Sequence, residues 1–467
     1  MRGKTFFILA LAVLLVAFSG CQAEFTFEPS ASGAPLPLTG ENASRLGAAA
    51  LILEEQEGLD HFAIIPVSAD TGERIADAQS IELGGEIAYG FSRDRSQMAF
   101  LSNHTDDCEK YCLRVMDLRR WEEIGQPIPV EKDFSTWFML PEFDAASNRI
   151  PVILNRQTDT ASDVILVDRS QGAVTARVSL SANVTQVAIT GQGDIAIYGI
   201  QTMRDGSGPV AYLALLSGAD LRTLWEQTAP EIVFFEGKMD HTDPSLARFY
   251  DPAAVFAPDG SRLFIAAADR PVLLTVDFAQ QRISSIRIAP RTGWLERLFG
   301  VKVAHAKTMN GKIRSGVLSP DGRYLFIIGQ EYRAKQNARG EYETERIPLG
   351  LQVIDTQDGA LVREVDTNAS QVSITPDGKT LLLGGWQDDL SGDGHDWVEI
   401  VDLSSLKSIQ RLKGYARPSR LLDGSTAWLL VPASNGITTE VELYRPGDRE
   451  PRSRVTHTRY VDWIVIQ

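Results

Sequence analysis

The sequence predicts an all-β fold, a β-propeller of eight blades, and three observations carry that expectation. One strand–turn–strand pattern recurs in VFAPDGSRLFIAAA at Val255–Ala268, VLSPDGRYLFIIG at Val317–Gly329, VSITPDGKTLLLGG at Val372–Gly385 and RLLDGSTAWLLVP at Arg420–Pro432. Each copy is followed by a third apolar strand ending on a turn and then a more polar fourth, as in LQVIDTQDG and ALVREVD. The two ends of the chain carry complementary fragments of one further unit. Recurrence at a steady period marks a repeat architecture, and four strands per repeat is the propeller arrangement.

The turn chemistry accounts for the pattern. In Ser319-Pro320-Asp321-Gly322 the proline presets φ, the aspartate bonds the local backbone, and the glycine accepts φ > 0 where the partner strand begins. With that ruler, weaker copies emerge at Ile87–Asn103, Trp137–Asn155 and Val184–Gly199. Seven complete units result, anchored at Asp94, Asp144, Gln192, Asp259, Asp321, Asp377 and Asp423. The anchors lie about 55 residues apart on average, slightly above the usual blade period. Ala49–Glu54, Phe62–Val67 and Ser80–Leu83 read as second, third and fourth strands lacking a first, while Tyr460–Gln467 is a strand lacking a unit. Pairing the two fragments closes the ring without exposed edges. The alternative is seven blades, with the N-terminal strands as decoration.

Connection lengths sort by position. First-to-second and third-to-fourth turns are tight. Long segments fall in second-to-third loops (Asn103–Cys112, Gln201–Pro209, Gln330–Gly350, Trp386–Trp397) and in fourth-to-first connections (Pro230–Asp251, Pro290–Lys312). In a propeller these two classes share one face, so the inserts build one mouth over the channel. Long loops in a compact domain are where function concentrates.

The chain has 467 residues, 43% of them hydrophobic, and a net charge of −15. It can bury a large core, and its acidic balance argues against a nucleic-acid partner, which needs a basic stripe. Met1–Gly20 reads as a secretory signal: Arg2 and Lys4 precede an apolar run, Phe6–Phe18, too short to span a bilayer. It ends in Phe18-Ser19-Gly20-Cys21, which resembles the lipobox of bacterial lipoproteins. The resemblance implies cleavage before Cys21, acylation of that cysteine and a lipid anchor in the membrane. Gln22 after the cysteine implies sorting to the outer membrane, facing the periplasm. Ordinary cleavage after Ala23 would instead release a soluble periplasmic protein. The division is therefore residues 1–20 signal peptide, 21–47 lipidated cysteine and flexible tether rich in Pro, Ser, Gly and Ala, and 48–467 propeller.

The blade pattern, SPDG followed by an apolar strand and then a strand ending VID, resembles the YVTN and lactonase-like propeller families of secreted bacterial proteins, over most of residues 48–467. The resemblance implies a fold. Its members include hydrolases, dehydrogenase subunits and binding scaffolds, so activity is implied only as a class.

Several residues are candidates for chemistry. Cys108 and Cys112, within HTDDCEKYC, suit a disulfide in an exported protein; metal ligation with His104 and Asp106, or free thiols, are the alternatives. Asp389, Ser391, Asp393 and Gly394 match the first, third, fifth and sixth positions of a calcium loop, with Asp396 and Glu399 nearby. Ile400 stands where the bidentate glutamate belongs, so a solvated acidic turn competes with a calcium site. All six histidines fall at the mouth; His104, His241, His305 and His395, with Asp240, Asp243 and Arg297, are the mouth-face candidates for a metal site or general base. Trp294–Phe299 reads as a short helix presenting apolar groups. Gly191-Gln192-Gly193 through Ala196 fits the dinucleotide fingerprint formally, but a strand follows where a helix is required, so a hairpin turn is expected. The sequence holds no G-x-S-x-G elbow, P-loop or C-x-x-C-H haem attachment. The function these features favour is a non-catalytic, membrane-tethered propeller that binds an envelope protein or a ligand through its mouth loops. A metal-dependent lactonase-like hydrolase or a dehydrogenase-associated propeller is the alternative.

Overall fold

A computed structural model describes residues 49–463, apart from 56–61, 76–79, 85–87, 103–110, 131–135, 157–160, 204–207, 238–246, 291–310, 337–341, 388–394, 423–424, 435–438 and 458–460. The described residues are all-β, and their strands form eight sheets, most of them four-stranded and antiparallel. Seven sheets are the units expected in chain order. The first runs Tyr89–Phe91, Gln97–Ser102 and Tyr111–Asp117, and the last runs Tyr415–Arg420, Thr426–Ser434, Thr439–Tyr444 and Ser453–His457. The eighth draws on both ends of the chain: Val461–Trp463 pairs antiparallel with Ala49–Glu55, followed by Phe62–Ser68 and Ile81–Gly84. The sequence-complementary fragments thus share one sheet.

Alternation within the strands explains how the sheets stack. Successive side chains leave opposite faces of a strand, so Leu263 and Phe264, neighbours in the fourth unit, join different apolar clusters. Leu263 packs with Tyr198 and Leu213 of the third unit, while Phe264 meets Leu325 and Ile354 of the fifth. The same arrangement recurs around the molecule. Phe326 meets Trp397, Leu382 meets Trp428, and Leu429 meets Ile52 and Ile65 of the closing sheet. Leu51 and Ile64 of that sheet pack on Met98 and Phe100 of the first unit. An apolar cluster spans each of these junctions between neighbouring sheets. Each fully buried large side chain contributes about 1.5–3 kcal/mol, so stability lies in these inter-sheet layers.

The turns show why the repeat is written as it is. In the fifth unit the Ser319 hydroxyl donates to Asp321 (2.5 Å) and accepts from the Tyr324 amide (2.9 Å), while Asp321 accepts from the Arg323 amide (3.1 Å). Thr375 and Asp377 repeat this in the sixth unit, and Ser92 and Asp94 in the first. A second recurring aspartate, at the end of the third strand in five of the seven units, caps the next turn: Asp355 accepts from the Gln357 amide (3.0 Å) and Asp402 from the Ser405 amide (2.8 Å). These are Asx turns, in which the side chain stands in for a backbone acceptor. The Gly191–Asp194 segment joins Asn183–Ile189 to Ile195–Thr202 as a hairpin turn, as expected.

Two connections read as loops are built differently. The insert after the second strand of the fifth unit is a hairpin: Tyr324–Gln336 overruns its unit and pairs with Tyr342–Pro348. The connection after the third unit contributes Phe235–Gly237 and Ala247–Asp251, the latter running parallel to Gly311–Leu318. The first insert thus extends the sheet it leaves, whereas the second leaves the third unit and joins the sheet of the fifth.

Candidate functional site

The innermost strands surround a channel with a cavity of about 1330 Å³. Because first strands run from the mouth to the tight turns, the channel has a mouth end and a turn end. The turn end is tied by charge. Arg93 of the first unit donates from Nε to Glu142 of the second (3.0 Å) and from Nη2 to the carbonyl oxygens of Ile189 and Thr190 in the third, the latter at 3.3 Å. Arg95 donates to the other oxygen of Glu142 (3.1 Å). Arg119 and Asp94 complete the charged lining there.

The mouth end carries the group best suited to chemistry. Trp386 and Asp396 stand opposite each other in the second and third strands of the sixth unit, and both line the channel. Trp386 is 43% exposed, large for a tryptophan in a protein wall. Gln371 and, from the seventh unit, Tyr415 and Arg417 line the same end. The backbone fixes Asp396 in place: its carbonyl oxygen accepts from the Gly414 amide (2.7 Å), which starts the seventh unit. Asp396 is exposed, and partial desolvation by the surrounding wall moves its carboxyl above its ordinary value, with His395 beside it pulling the other way. The Nδ1 atom of His395 is shut off from solvent and, among the described residues, has no hydrogen-bond partner. An aromatic face, a carboxyl with raised proton affinity, an amide and a guanidinium can together hold a small polar organic molecule and exchange a proton with it.

A second concentration of charge sits where the fourth and fifth units meet. Lys312 and Arg314, on one face of their strand, share the region with Asp269 and Glu331. Burial lowers the proton affinity of both cations. Among the described residues, Nε and Nη1 of Arg314 find no hydrogen-bond partner and are shut off from solvent, as is Oδ1 of Asp269.

Of the residues singled out from sequence, Asp396 lines the channel mouth, and His395 precedes it in the same strand. His104, Asp240, His241, Asp243, Arg297 and His305 lie outside the described residues, as do Asp389, Ser391 and Asp393 of the calcium-like loop, Cys21, and Trp294–Phe299. Among the described residues no group of three His, Cys, Asp or Glu is placed to hold a metal ion. Cys112 is buried and carries no free thiol, while Cys108 lies outside the described residues. Sequence reasoning missed Trp386, Tyr415, Arg417 and the Arg93–Glu142 tie. The available signal was positional: Trp386 and Tyr415 stand where strands meet the mouth.

The class that this fold defines is the β-propeller. No family model matches the chain, and no curated protein does. Among solved structures it is similar to the dihydro-haem d1 dehydrogenase NirN, at 14% identity and a TM-score of 0.49, covering 94% of this chain and 79% of that one. It is also similar to a eukaryotic initiation factor (10% identity, TM-score 0.46, covering 89% and 90%). A third is the periplasmic gluconolactonase PpgL of Pseudomonas aeruginosa (13% identity, TM-score 0.39, covering 78% and 94%).

Proposed function

We propose that this chain is an eight-bladed propeller that takes a small polar organic ligand at its channel mouth and acts on it by proton transfer at Asp396. The observation that carries the reading is the Trp386–Asp396 pair, an exposed aromatic face beside a carboxyl whose proton affinity partial desolvation has raised. In its ionised form the carboxylate takes a proton from water as that water's oxygen bonds to the carbonyl carbon, and the carboxyl so formed returns the proton to the leaving oxygen as its bond to that carbon breaks, the two steps of ester or lactone hydrolysis. The hydrolytic reading, lactonase-like as the repeat resemblance implies, therefore stands ahead of a purely non-catalytic scaffold. The test is hydrolysis of a panel of sugar and aliphatic lactones. Asp396→Asn is expected to reduce kcat about 100-fold or more with KM little changed, and Trp386→Ala to raise KM. Turnover indifferent to both substitutions would overturn the reading.

The eight-bladed count is supported by eight sheets linked through apolar layers that lead back to the first. We also propose that the protein is an envelope lipoprotein anchored through Cys21, with Cys108 and Cys112 paired, and that it faces the periplasm from the outer membrane. The Ala49 end of Ala49–Glu55 lies at the turn end, since this strand runs antiparallel to the innermost strand Val461–Trp463. A lipid tether arriving there would hold the mouth away from the membrane. Palmitate labelling of the wild type and of Cys21→Ala tests the anchor, with incorporation expected only in the former.

A further inference from the structure

The first unit departs from the repeat where its turns reach the channel. In the fourth, fifth and sixth units the first turn sets Pro258, Pro320 and Pro376 into the channel lining. Two residues further on stand Gly260, Gly322 and Gly378, at φ of +67°, +69° and +66°. The first unit has Arg93 in place of the proline and Arg95 in place of the glycine. Arg95 keeps the glycine's backbone, at φ +58°, where a residue with a Cβ is strained. The turn between the third and fourth strands departs as well. Two residues beyond the aspartate that caps it stand Ser170, Ala279, Gln357 and Ser404 in other units, but Arg119 in the first. Three arginines thus occupy positions that are uncharged elsewhere, and all three line the turn end of the channel. Strain of this kind gathers at binding and catalytic sites.

The charges there do not cancel. Glu142 is shared between Nε of Arg93 (3.0 Å) and Nη2 of Arg95 (3.1 Å). The Asp94 carboxylate accepts from the Ser92 hydroxyl (2.7 Å) and from the amide (3.1 Å) and hydroxyl (2.8 Å) of Ser96, and it acts on Arg119 without a hydrogen bond. Among the described residues the Arg119 guanidinium makes neither a hydrogen bond nor an ion pair; only its backbone amide is bonded, to Asp117. Arg119 is half-buried, yet none of its nitrogens is shut off from solvent. Three guanidinia face two carboxylates that are already satisfied, and one fork of donors, matched to an oxyanion, opens on the channel.

We propose that the turn end of the channel binds the carboxylate or phosphate group of a small anion, with Arg119 receiving the oxyanion and Arg93 and Arg95 supplying the positive field around it. This end is distinct from the mouth, where Trp386 and Asp396 stand.

The test is calorimetric titration of the full-length protein with sodium acetate and, separately, sodium phosphate at constant ionic strength. Saturable binding of at least one is expected, and the tighter of the two identifies the oxyanion that the site takes. Arg119→Gln should weaken that anion at least about tenfold, the loss of a hydrogen bond to a charged group. Its melting temperature should match the wild type, since the guanidinium holds nothing in the fold. Arg120→Gln removes the same charge from the next residue, which is exposed and outside the channel lining, and should leave the affinity within about twofold, as screening of a surface charge implies. Arg417→Gln, at the mouth, should do likewise. Absence of saturable binding for both anions, indifference to Arg119→Gln, or an equal loss in Arg120→Gln or Arg417→Gln would each overturn the assignment. None of these readouts depends on the proposed activity at Asp396.

Discussion

Arg93 of the first unit and Glu142 of the second meet at 3.0 Å across the turn end of the channel, and Arg93 reaches on to the backbone of the third unit. One side chain therefore ties three successive units where the tight turns converge. The tie acts partly through backbone acceptors, which do not titrate, and partly through a carboxylate shared with Arg95.

Arg93→Ala should lower stability by more than Glu142→Gln does. Arg93 is 40% exposed, so its ion pair is screened and contributes about 0.5–1 kcal/mol. Loss of the donors to Ile189 and Thr190 adds about 1 kcal/mol. Denaturant titration in low and high salt separates the two parts: the difference between wild type and Glu142→Gln should shrink with salt, and that for Arg93→Ala should persist in part.

Gly260 and Gly322 occupy matching turns with φ of +67° and +69°, yet they should respond differently to alanine. Nothing lies within 4 Å of a Cβ at Gly322, so Gly322→Ala meets only left-handed strain, about 1–2 kcal/mol. A Cβ at Gly260 would fall 2.3 Å from the carbonyl oxygen of Ile189, the acceptor that Arg93 also uses. Backbone must shift, adding about 1–3 kcal/mol. Thermal melts of the two variants side by side check the order; equal losses would mean that the turns do not pack on each other as described.

The difference between these glycines marks what was legible in the sequence. The all-β class, the strand order and the joining of the two ends were legible from local pattern, because Ser319-Pro320-Asp321-Gly322 and its copies satisfy their hydrogen bonds within six residues. What was not legible depends on neighbours remote in sequence. Arg93 finds Ile189 only once an intervening unit has folded, and Trp386 becomes a channel residue only because the seventh unit stacks beside the sixth. The calcium-like spacing drew attention to Asp396 but not to its place opposite Trp386. Likewise the hairpin in Gln330–Gly350 was hidden by its charged residues, which read as loop although they alternate suitably for a solvated strand pair.

Acid should expose two opposed sets of carboxyls. At Asp259 burial alone would raise the proton affinity, but hydrogen bonds from the Ser261 amide and hydroxyl outweigh it and hold the group below its ordinary value. Asp94, bonded by Ser92 and Ser96, behaves alike. A lowered folded-state pKa gives stability that is complete above the unfolded value and lost as pH falls through the folded one. At Asp396 the shift is upward, so its charge opposes folding at neutral pH and that opposition is relieved as pH falls through the raised value. Asp259→Asn should therefore lower the melting temperature at pH 7 and flatten its decline below about pH 4, while Asp396→Asn should raise it at pH 7 and leave the acid end unchanged. Melts from pH 3 to 7 read both; a lower melting temperature for Asp396→Asn at neutral pH would contradict the desolvation argument.

Removing the tail strand should loosen the protein on both sides of the closing sheet rather than at one end. Val461 is fully buried and Trp463 stands opposite Ile52, so Val461–Trp463 covers the inner edge of Ala49–Glu55. In an open repeat array a lost terminal strand frays only the terminal unit, because each repeat touches its neighbours alone. Here the closing sheet packs on Met98 and Phe100 in one direction and on Leu429 and Val441 in the other. A chain ending at residue 459 leaves an unpaired inner edge between those two layers. Native-state hydrogen exchange should then quicken in Ala49–Glu55, and also in Gln97–Ser102 and Thr426–Ser434, with the third and fourth units least affected. Faster exchange confined to residues 49–84 would mean that the ring is held by the remaining sheets and that the tail merely decorates it.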